Sequence, residues 1–460
     1  MLLEAPRPAP LIGIAMTRLS RHLEKLVLFV AMLGAIPFTG CGRAVAPTVP
    51  ANKATSGTHV SHPLRTDQTS SLPLDYDPQK VIWLPNGSSG ESDVESENGL
   101  EPVGTASGYL VCRVTSGEDA AVVAGRMALD TRVSWASPDY YGETAESRGH
   151  SWAFDEGWMN STGYEDQSAV MRLGLPQAHR VSMGNGVIVA VLDTGVNPDH
   201  PLLAGHVMPG YDFVDDDTDT RETPDGIDHD GDGLIDEAIG HGTHVAGLVA
   251  LVAPRARILP VRVLDEDGRG DAYAIARGID YAVSHGARVL NLSLGMLVED
   301  QLVETAVDQA IASGAVVVAS AGNWGAEEPA EYPANFDGAT AVAATDPTDA
   351  PANFTSFGDF VSVCAPGEGI RSAYWNGNTA IWSGTSMAAP FVSGGAALLL
   401  SVHPYWGRAE VIARLLQTAT PLASSILAEP GNFGAGRLNL GAALAPDAPV
   451  GGAKRVSVGN

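Results

Sequence analysis

Cysteine is nearly absent from this chain, which carries only Cys41, Cys112 and Cys364 among 460 residues. The three fall in different segments, so neither a disulfide framework nor a CxxC metal site can be built from them. Cys364, inside the apolar run Phe360 to Ala365, reads as a buried core thiol. Basic residues are scarce too. Lys and Arg number 27 against 54 Asp and Glu, a formal net charge of -27. That balance argues against a nucleic-acid partner, because phosphate backbones are bound through Lys and Arg. It leaves a solvated acidic surface, or one partly neutralised by cations. The apolar run Leu26 to Ile36 is too short for a comfortable transmembrane helix. With Arg18, Arg21 and Lys25 before it, the run suits a signal peptide spanning residues 1–41, and Met16 is an alternative start. What is present describes a globular protein, with 45% hydrophobic and 18% charged residues, longer than one average domain.

The order of the chain supplies its organisation. Phe38-Thr39-Gly40-Cys41 is similar to a bacterial lipobox, in which Cys41 would be lipidated and tether the chain to a membrane surface without spanning it. Ordinary cleavage after Ala44-Val45-Ala46 is the rival, disfavoured by Pro47. Residues 42–106, rich in Pro, Ser, Thr, Gly and Asn, read as a low-complexity linker. Residues 107–146 form a compact unit: Tyr109 to Val114 alternates like a strand, Asp119 to Leu129 fits a helix, and Val133 to Tyr140 is extended. This unit is too small to be a stable enzyme alone. A Gly-, Ser- and Trp-rich junction, 147–166, leads into the main body at 167–446, and a tail of 447–460 follows.

In that body strand and helix patterns alternate. Val187 to Leu192, Ile258 to Leu264, Val289 to Leu294 and Ala315 to Ala319 are strand-like. Thr243 to Val252, Ala272 to Ser284, Leu302 to Ser313, Thr385 to Leu400 and Ala409 to Thr418 are helical. Continuous apolar strands of this kind predict an α/β fold, a mostly parallel sheet with helices on both faces.

Gly384-Thr385-Ser386-Met387-Ala388-Ala389-Pro390 sets a serine among small residues at the mouth of a helix. A serine hydroxyl needs a base to take its proton and donors to hold the oxyanion its attack creates. Upstream, Asp193-Thr194-Gly195 ends a strand and His241-Gly242-Thr243-His244-Val245-Ala246-Gly247 opens a helix. The chain order Asp, His, Ser matches the subtilisin order and neither the chymotrypsin nor the α/β-hydrolase one. Through these three motifs the sequence resembles the subtilisin-like serine proteases.

The resemblance implies a three-layer subtilisin-like fold and a secreted or surface-tethered endopeptidase acting as a monomer on peptide or protein substrates. It assigns Ser386 as nucleophile, His241 as proton shuttle and Asp193 as its orienting acid, with His244 structural. Ala319-Ser320-Ala321-Gly322-Asn323 resembles the segment carrying the oxyanion asparagine, Asn323. Ser293-Leu294-Gly295 resembles the edge on which an extended peptide adds as a strand. Glu331, before Tyr332-Pro333-Ala334, stands where the family borders the pocket for the residue preceding the cut, and a carboxylate there would favour Lys or Arg. The 107–146 unit, which ends on an aromatic-Pro-Asp-Tyr pattern, is similar to a shortened α+β inhibitory prodomain of an autoprocessed precursor. A strand and helix permanently packed on the protease is the alternative.

Asp228, Asp230 and Asp232, followed by Gly233, also resemble the first half of a calcium loop, with Asp236 or Glu237 left to close the coordination sphere. A structural calcium ion near His241 is the expectation, against a solvated acidic loop.

Overall fold

The computed structural model describes residues 75–446 apart from 88–89, 147–150, 152, 328 and 424–431. The signal segment, Cys41, residues 42–74 of the linker and the tail 447–460 lie outside the described residues. At the centre of the main body is a seven-stranded sheet with the order β13-β12-β11-β10-β6-β8-β7. Its members are β6 (Ile188–Asp193), β7 (Tyr211–Asp212), β8 (Arg257–Arg262), β10 (Val289–Leu292), β11 (Val316–Ser320), β12 (Thr340–Thr345) and β13 (Val361–Pro366), and every pairing is parallel.

The strands alternate between two cores, as side chains on a pleated strand must. Val189 and Val191 of β6 face the helices His241–Val252 and Thr385–Val402, whereas Ala190 and Leu192 face the helices Ala272–Ser284 and Gln301–Ala312. Helix Thr385–Val402 is buried from Thr385 to Leu400, which is why its sequence is apolar all round. Chain order reverses across β6: the chain moves to β8 on one side and returns to β10 on the other. Open sheets bind ligands outside the carboxyl ends of the strands at such a reversal. Asp193 ends β6, and Ser293 directly follows β10, whose Leu292 pairs with Leu192.

The N-terminal unit is larger than its sequence signals. Residues 76–106, read above as linker, form β1 (Tyr76–Pro85), the helix Glu91–Glu97 and β2 (Leu100–Ala106). With β3 (Tyr109–Val114), β4 (Val133–Glu143) and β9 (Arg269–Asp271) of the main body they build a five-stranded sheet in the order β2-β3-β1-β4-β9. The only strong strand signal in this stretch is Val81-Ile82-Trp83-Leu84, and turn-forming residues flank it, so composition hides the strands. Val81 and Trp83 face the unit's own core with Val123 and Met127, while Ile82 faces the opposite side with Ile275 and Val303. Polar contacts fix that interface: Ser107 Oγ donates to Asp280 (2.9 Å), the Tyr109 hydroxyl lies 3.1 Å from Thr305 Oγ1, and Lys80 pairs with Asp271.

The junction is also built in. β5 (Phe154–Asp155) adds to the hairpin β14 (Ile370–Ala373) and β15 (Thr379–Trp382), and Arg371 pairs with Glu156 at 2.7 Å.

Candidate active site

Asp193, His241 and Ser386 are each fully buried. His241 opens its helix after Gly240, whose backbone is left-handed (φ 88) and where a Cβ would lie 2.4 Å from the Tyr374 ring. The next residue, Gly242, comes so close to the acid's turn that a Cβ would fall 2.0 Å from the Gly195 carbonyl oxygen. These approaches bring His241 Nδ1 to 2.7 Å from Asp193 Oδ1. The Trp382 ring meets the imidazole edge-on at 5.2 Å. His244, one turn on, bonds to the Ile370 carbonyl (3.1 Å). Burial, helped by the charge of His241, pushes its pKa down to about 3, so it stays a neutral packing residue.

Ser386 is the second residue of its helix, where backbone N–H groups lack intrahelical partners. Its hydroxyl lies 3.3 Å from the Ser293 carbonyl oxygen. Asn323 follows β11, and its Oδ1 accepts from the N–H (3.0 Å) and hydroxyl (2.9 Å) of Thr385. That fixes the amide with Nδ2 turned into the cleft.

A residue the motifs do not contain occupies the centre. Glu146 is 1% exposed. Its Oε2 accepts from Ser386 Oγ (2.6 Å) and lies 3.0 Å from His241 Nε2, and its Oε1 accepts from Asn323 Nδ2 (3.0 Å). Gly384 makes room, since a Cβ there would lie 1.7 Å from Glu146 Oε1. Burial alone would raise the Glu146 pKa, but the His241 pairing and the hydrogen bonds from Ser386 and Asn323 overcome it and hold the carboxyl below its ordinary value. Burial likewise disfavours the imidazolium, yet Asp193 and Glu146 together push His241 up to about 10. At neutral pH the pair is therefore carboxylate and imidazolium.

The approach to Glu146 is strand-like. Glu143 exchanges both backbone hydrogen bonds with Gly295 (3.0 and 2.8 Å), β4 pairs with β9 on its other side, and the Thr144 N–H donates to the Gly268 carbonyl (2.9 Å). Of Ser293, Leu294 and Gly295, Gly295 thus pairs with the entering peptide segment, while Ser293 Oγ donates to the Ser386 carbonyl (3.0 Å) and Leu294 points into the core.

Glu331 lies beneath Gly295 at 1% exposure. Its Oε1 accepts from the Trp324 indole N–H (2.5 Å), and Cβ atoms added at Gly295 and Gly322 would lie 2.0 and 2.9 Å from its carboxyl group.

In the acidic insert, carboxylate oxygens of Asp228, Asp230 and Asp232 gather within 4.8 Å of one another. Hard oxygen donors of this kind suit calcium. Burial and the neighbouring carboxylates Asp267 and Asp230 push Glu237 up to about 8, the mark of uncompensated acidic crowding. Asp236 is not brought into the cluster: its carboxylate accepts from the N–H groups of Asp225 (3.1 Å) and Gly226 (3.1 Å). Sequence spacing could not reveal this, because the loop's turns set carboxylate directions.

Among the buried acids that escaped the motifs, two lie close to the insert and the triad. Asp267 holds the insert's backbone, accepting from His229 N (2.5 Å) and Asp236 N (2.8 Å), and Glu222 lies against the Asp193 and His241 segments.

A buried serine, histidine and aspartate at the carboxyl edge of a parallel sheet, with the Glu146 carboxylate bonded to both Ser386 and His241, suit a serine hydrolase of the peptidase kind. The subtilase family profile matches residues 184–436. The chain is 44% identical over 245 residues to thermitase of Thermoactinomyces vulgaris, covering 51% of this chain and 82% of that protein. It is 38% identical over 284 residues to subtilisin BL of Lederbergia lenta, covering 60% of this chain and 97% of that protein. Fervidolysin from Fervidobacterium pennivorans, a keratinolytic enzyme related to subtilisin, superposes with a TM-score of 0.67 at 26% identity. That match covers 82% of this chain and 62% of fervidolysin, reaching beyond the family segment. The chain belongs to the subtilase family and is a subtilisin-like serine peptidase.

Proposed function

We propose that the protein is a secreted or surface-tethered endopeptidase made as an autoprocessed precursor, with Ser386, His241 and Asp193 as its triad. Ser386 Oγ attacks the scissile carbonyl while His241 Nε2 takes its proton. Asp193 holds the imidazole by Nδ1 and stabilises the imidazolium. The oxyanion is held by Asn323 Nδ2 and the Ser386 N–H, His241 returns the proton to the leaving amine, and water then hydrolyses the acyl-enzyme. Ser293 to Gly295 pair with the substrate backbone, so many sequences fit and side-chain pockets decide preference. Glu331 lies under that edge, where its carboxylate would attract Lys or Arg.

The observation that carries this reading is the Glu146 carboxylate, which engages Ser386, His241 and Asn323 at once. A group charged like the oxyanion there takes the Asn323 amide, one of the two donors that an oxyanion needs. The same contact favours residues 76–146 as an inhibitory prodomain. A signal peptide and a lipid anchor at Cys41 complete the precursor, and the Asp228, Asp230 and Asp232 cluster, with Glu237 beside it, would hold a structural calcium ion.

The test compares the full chain with Ser386→Ala for covalent labelling by a fluorophosphonate probe and for self-cleavage. Labelling and new bands in the first alone are expected. No labelling and identical banding in both would leave a catalytically silent scaffold.

A further inference from the structure

Glu222 belongs to no motif and has no part in the proton transfers above. It is 5% exposed and sits between the segments carrying the acid and the histidine. Its hydrogen-bond donors are neutral and come from both sides. Oε1 accepts from the Thr194 hydroxyl and, at 3.1 Å, from the Gly242 N–H. Oε2 accepts from the Thr243 hydroxyl and, at 3.2 Å, from the Thr243 N–H. The Thr194 oxygen in turn accepts from the Gly242 N–H (3.0 Å), while the Thr194 N–H donates to Asp193 Oδ1 (2.8 Å). Backbone contacts strap the segment to the acid's turn: the Val196 N–H donates to the Thr220 carbonyl at 2.7 Å.

We propose that Glu222 is a positioning residue for the peptidase reaction, locking the Asp193 turn to the first turn of the His241 helix and lending negative charge beside the imidazolium. The inference rests on the triad roles given above.

Two physical effects converge here. The 2.7 Å bond between Asp193 and His241 joins residues on separate elements, and a small misplacement of catalytic groups is costly in rate. Glu222 is bonded to both elements, so it fixes that spacing. Secondly, His241 is the first residue of a helix, whose N-terminal end behaves as a partial positive charge and disfavours an imidazolium. An anion accepting the N–H groups of the next two residues offsets that charge. The titratable and charged groups facing Glu222 are Asp193, His241, Tyr374 and, at the Gly195 turn, Arg262. Burial, with the charge of Asp193, pushes Glu222 up to about 7, so part of its charge develops within the working pH range.

The experiment measures kcat and KM against pH on a peptide substrate for wild type, Glu222→Gln and Thr243→Ala, each processed from the full chain and counted by fluorophosphonate titration. In Glu222→Gln, kcat should fall about tenfold or more with KM little changed. The acid limb of kcat should also move to lower pH, because the imidazolium loses a negative neighbour. Thr243→Ala, which removes one donor and keeps the carboxylate, should lower kcat by less in the same direction. Should Glu222→Gln fail to fold, Thr243→Ala with a wild-type kcat overturns the proposal. So does a folded Glu222→Gln whose only change is a lower melting temperature. If wild type itself neither labels nor turns over, the triad reading fails instead, and the outcomes are thereby distinct.

Discussion

His241 carries a carboxylate on each ring nitrogen, Asp193 on one and Glu146 on the other. An imidazolium so held has no lone pair to offer Ser386, so residue chemistry alone makes this arrangement a resting one. In the proposed reading, Glu331 is the residue that would bear on substrate choice. A buried carboxylate under Gly295 and Gly322 rewards a cation that reaches it, because charge-assisted pairs strengthen as water is excluded. Peptide substrates with Lys or Arg before the cut should therefore show higher kcat/KM than the Phe analogue, on the order of tenfold or more, and Glu331→Gln should erase the difference. Equal rates with Phe and Arg in wild type would remove Glu331 from specificity. Asp193, His241, Ser386 and Asn323 could be singled out as candidates from the sequence because His241, Ser386 and Asn323 sit among small residues that close packing demands and Asp193 ends an apolar strand run. Glu146 and Glu222 could not be, since each acts on partners far along the chain through side-chain contacts that leave no local pattern.

Among the elements, the end of β4 has the most direct functional consequence. It enters the cleft as a paired strand, and Glu146 then places a side-chain carboxylate on Ser386. The strength of this hold follows from the two shifted groups. Glu146 is lowered from an ordinary 4.5, so its contribution is full above that value and is lost as pH falls through its docked pKa. Against the cost of burial, His241 is raised to about 10, first by Asp193, which pairs with it whether or not the segment is docked, and then by Glu146, so only the Glu146 share belongs to docking and it fades as pH rises towards 10. The segment should dock most tightly above about pH 4.5 and below the pH at which the undocked, Asp193-paired His241 loses its proton. Glu146→Gln removes a charge-assisted bond and should label with a fluorophosphonate about ten- to a hundredfold faster than wild type before processing. The ratio of the two rates should peak in that window. A ratio of one at every pH would show that the segment's backbone, not Glu146, restrains the site. The parallel strands were readable as unbroken apolar runs because both their faces are buried. β1 and β2 were not, because in such a small sheet each face supplies only a few apolar residues, which Pro, Gly and Ser dilute.

For the whole molecule the governing quantity is the net charge of -27, concentrated in part where the insert approaches the active site. The insert joins Glu222 to His241 in sequence, and Asp228, Asp230 and Asp232 crowd within 4.8 Å. Such crowding costs folding free energy that a bound divalent cation returns, and an ion that binds only the folded state stabilises by mass action. At a calcium concentration a hundred times its Kd the gain is about 2.7 kcal/mol. The inactive Ser386→Ala chain, which cannot digest itself, should therefore melt several degrees higher in calcium than in a chelator, and Asp230→Asn should shrink that gap. In the active enzyme the chelator should speed autolysis, because an unbraced insert exposes backbone to neighbouring molecules. An unchanged melting temperature together with an unchanged autolysis rate would reduce the insert to a solvated acidic loop.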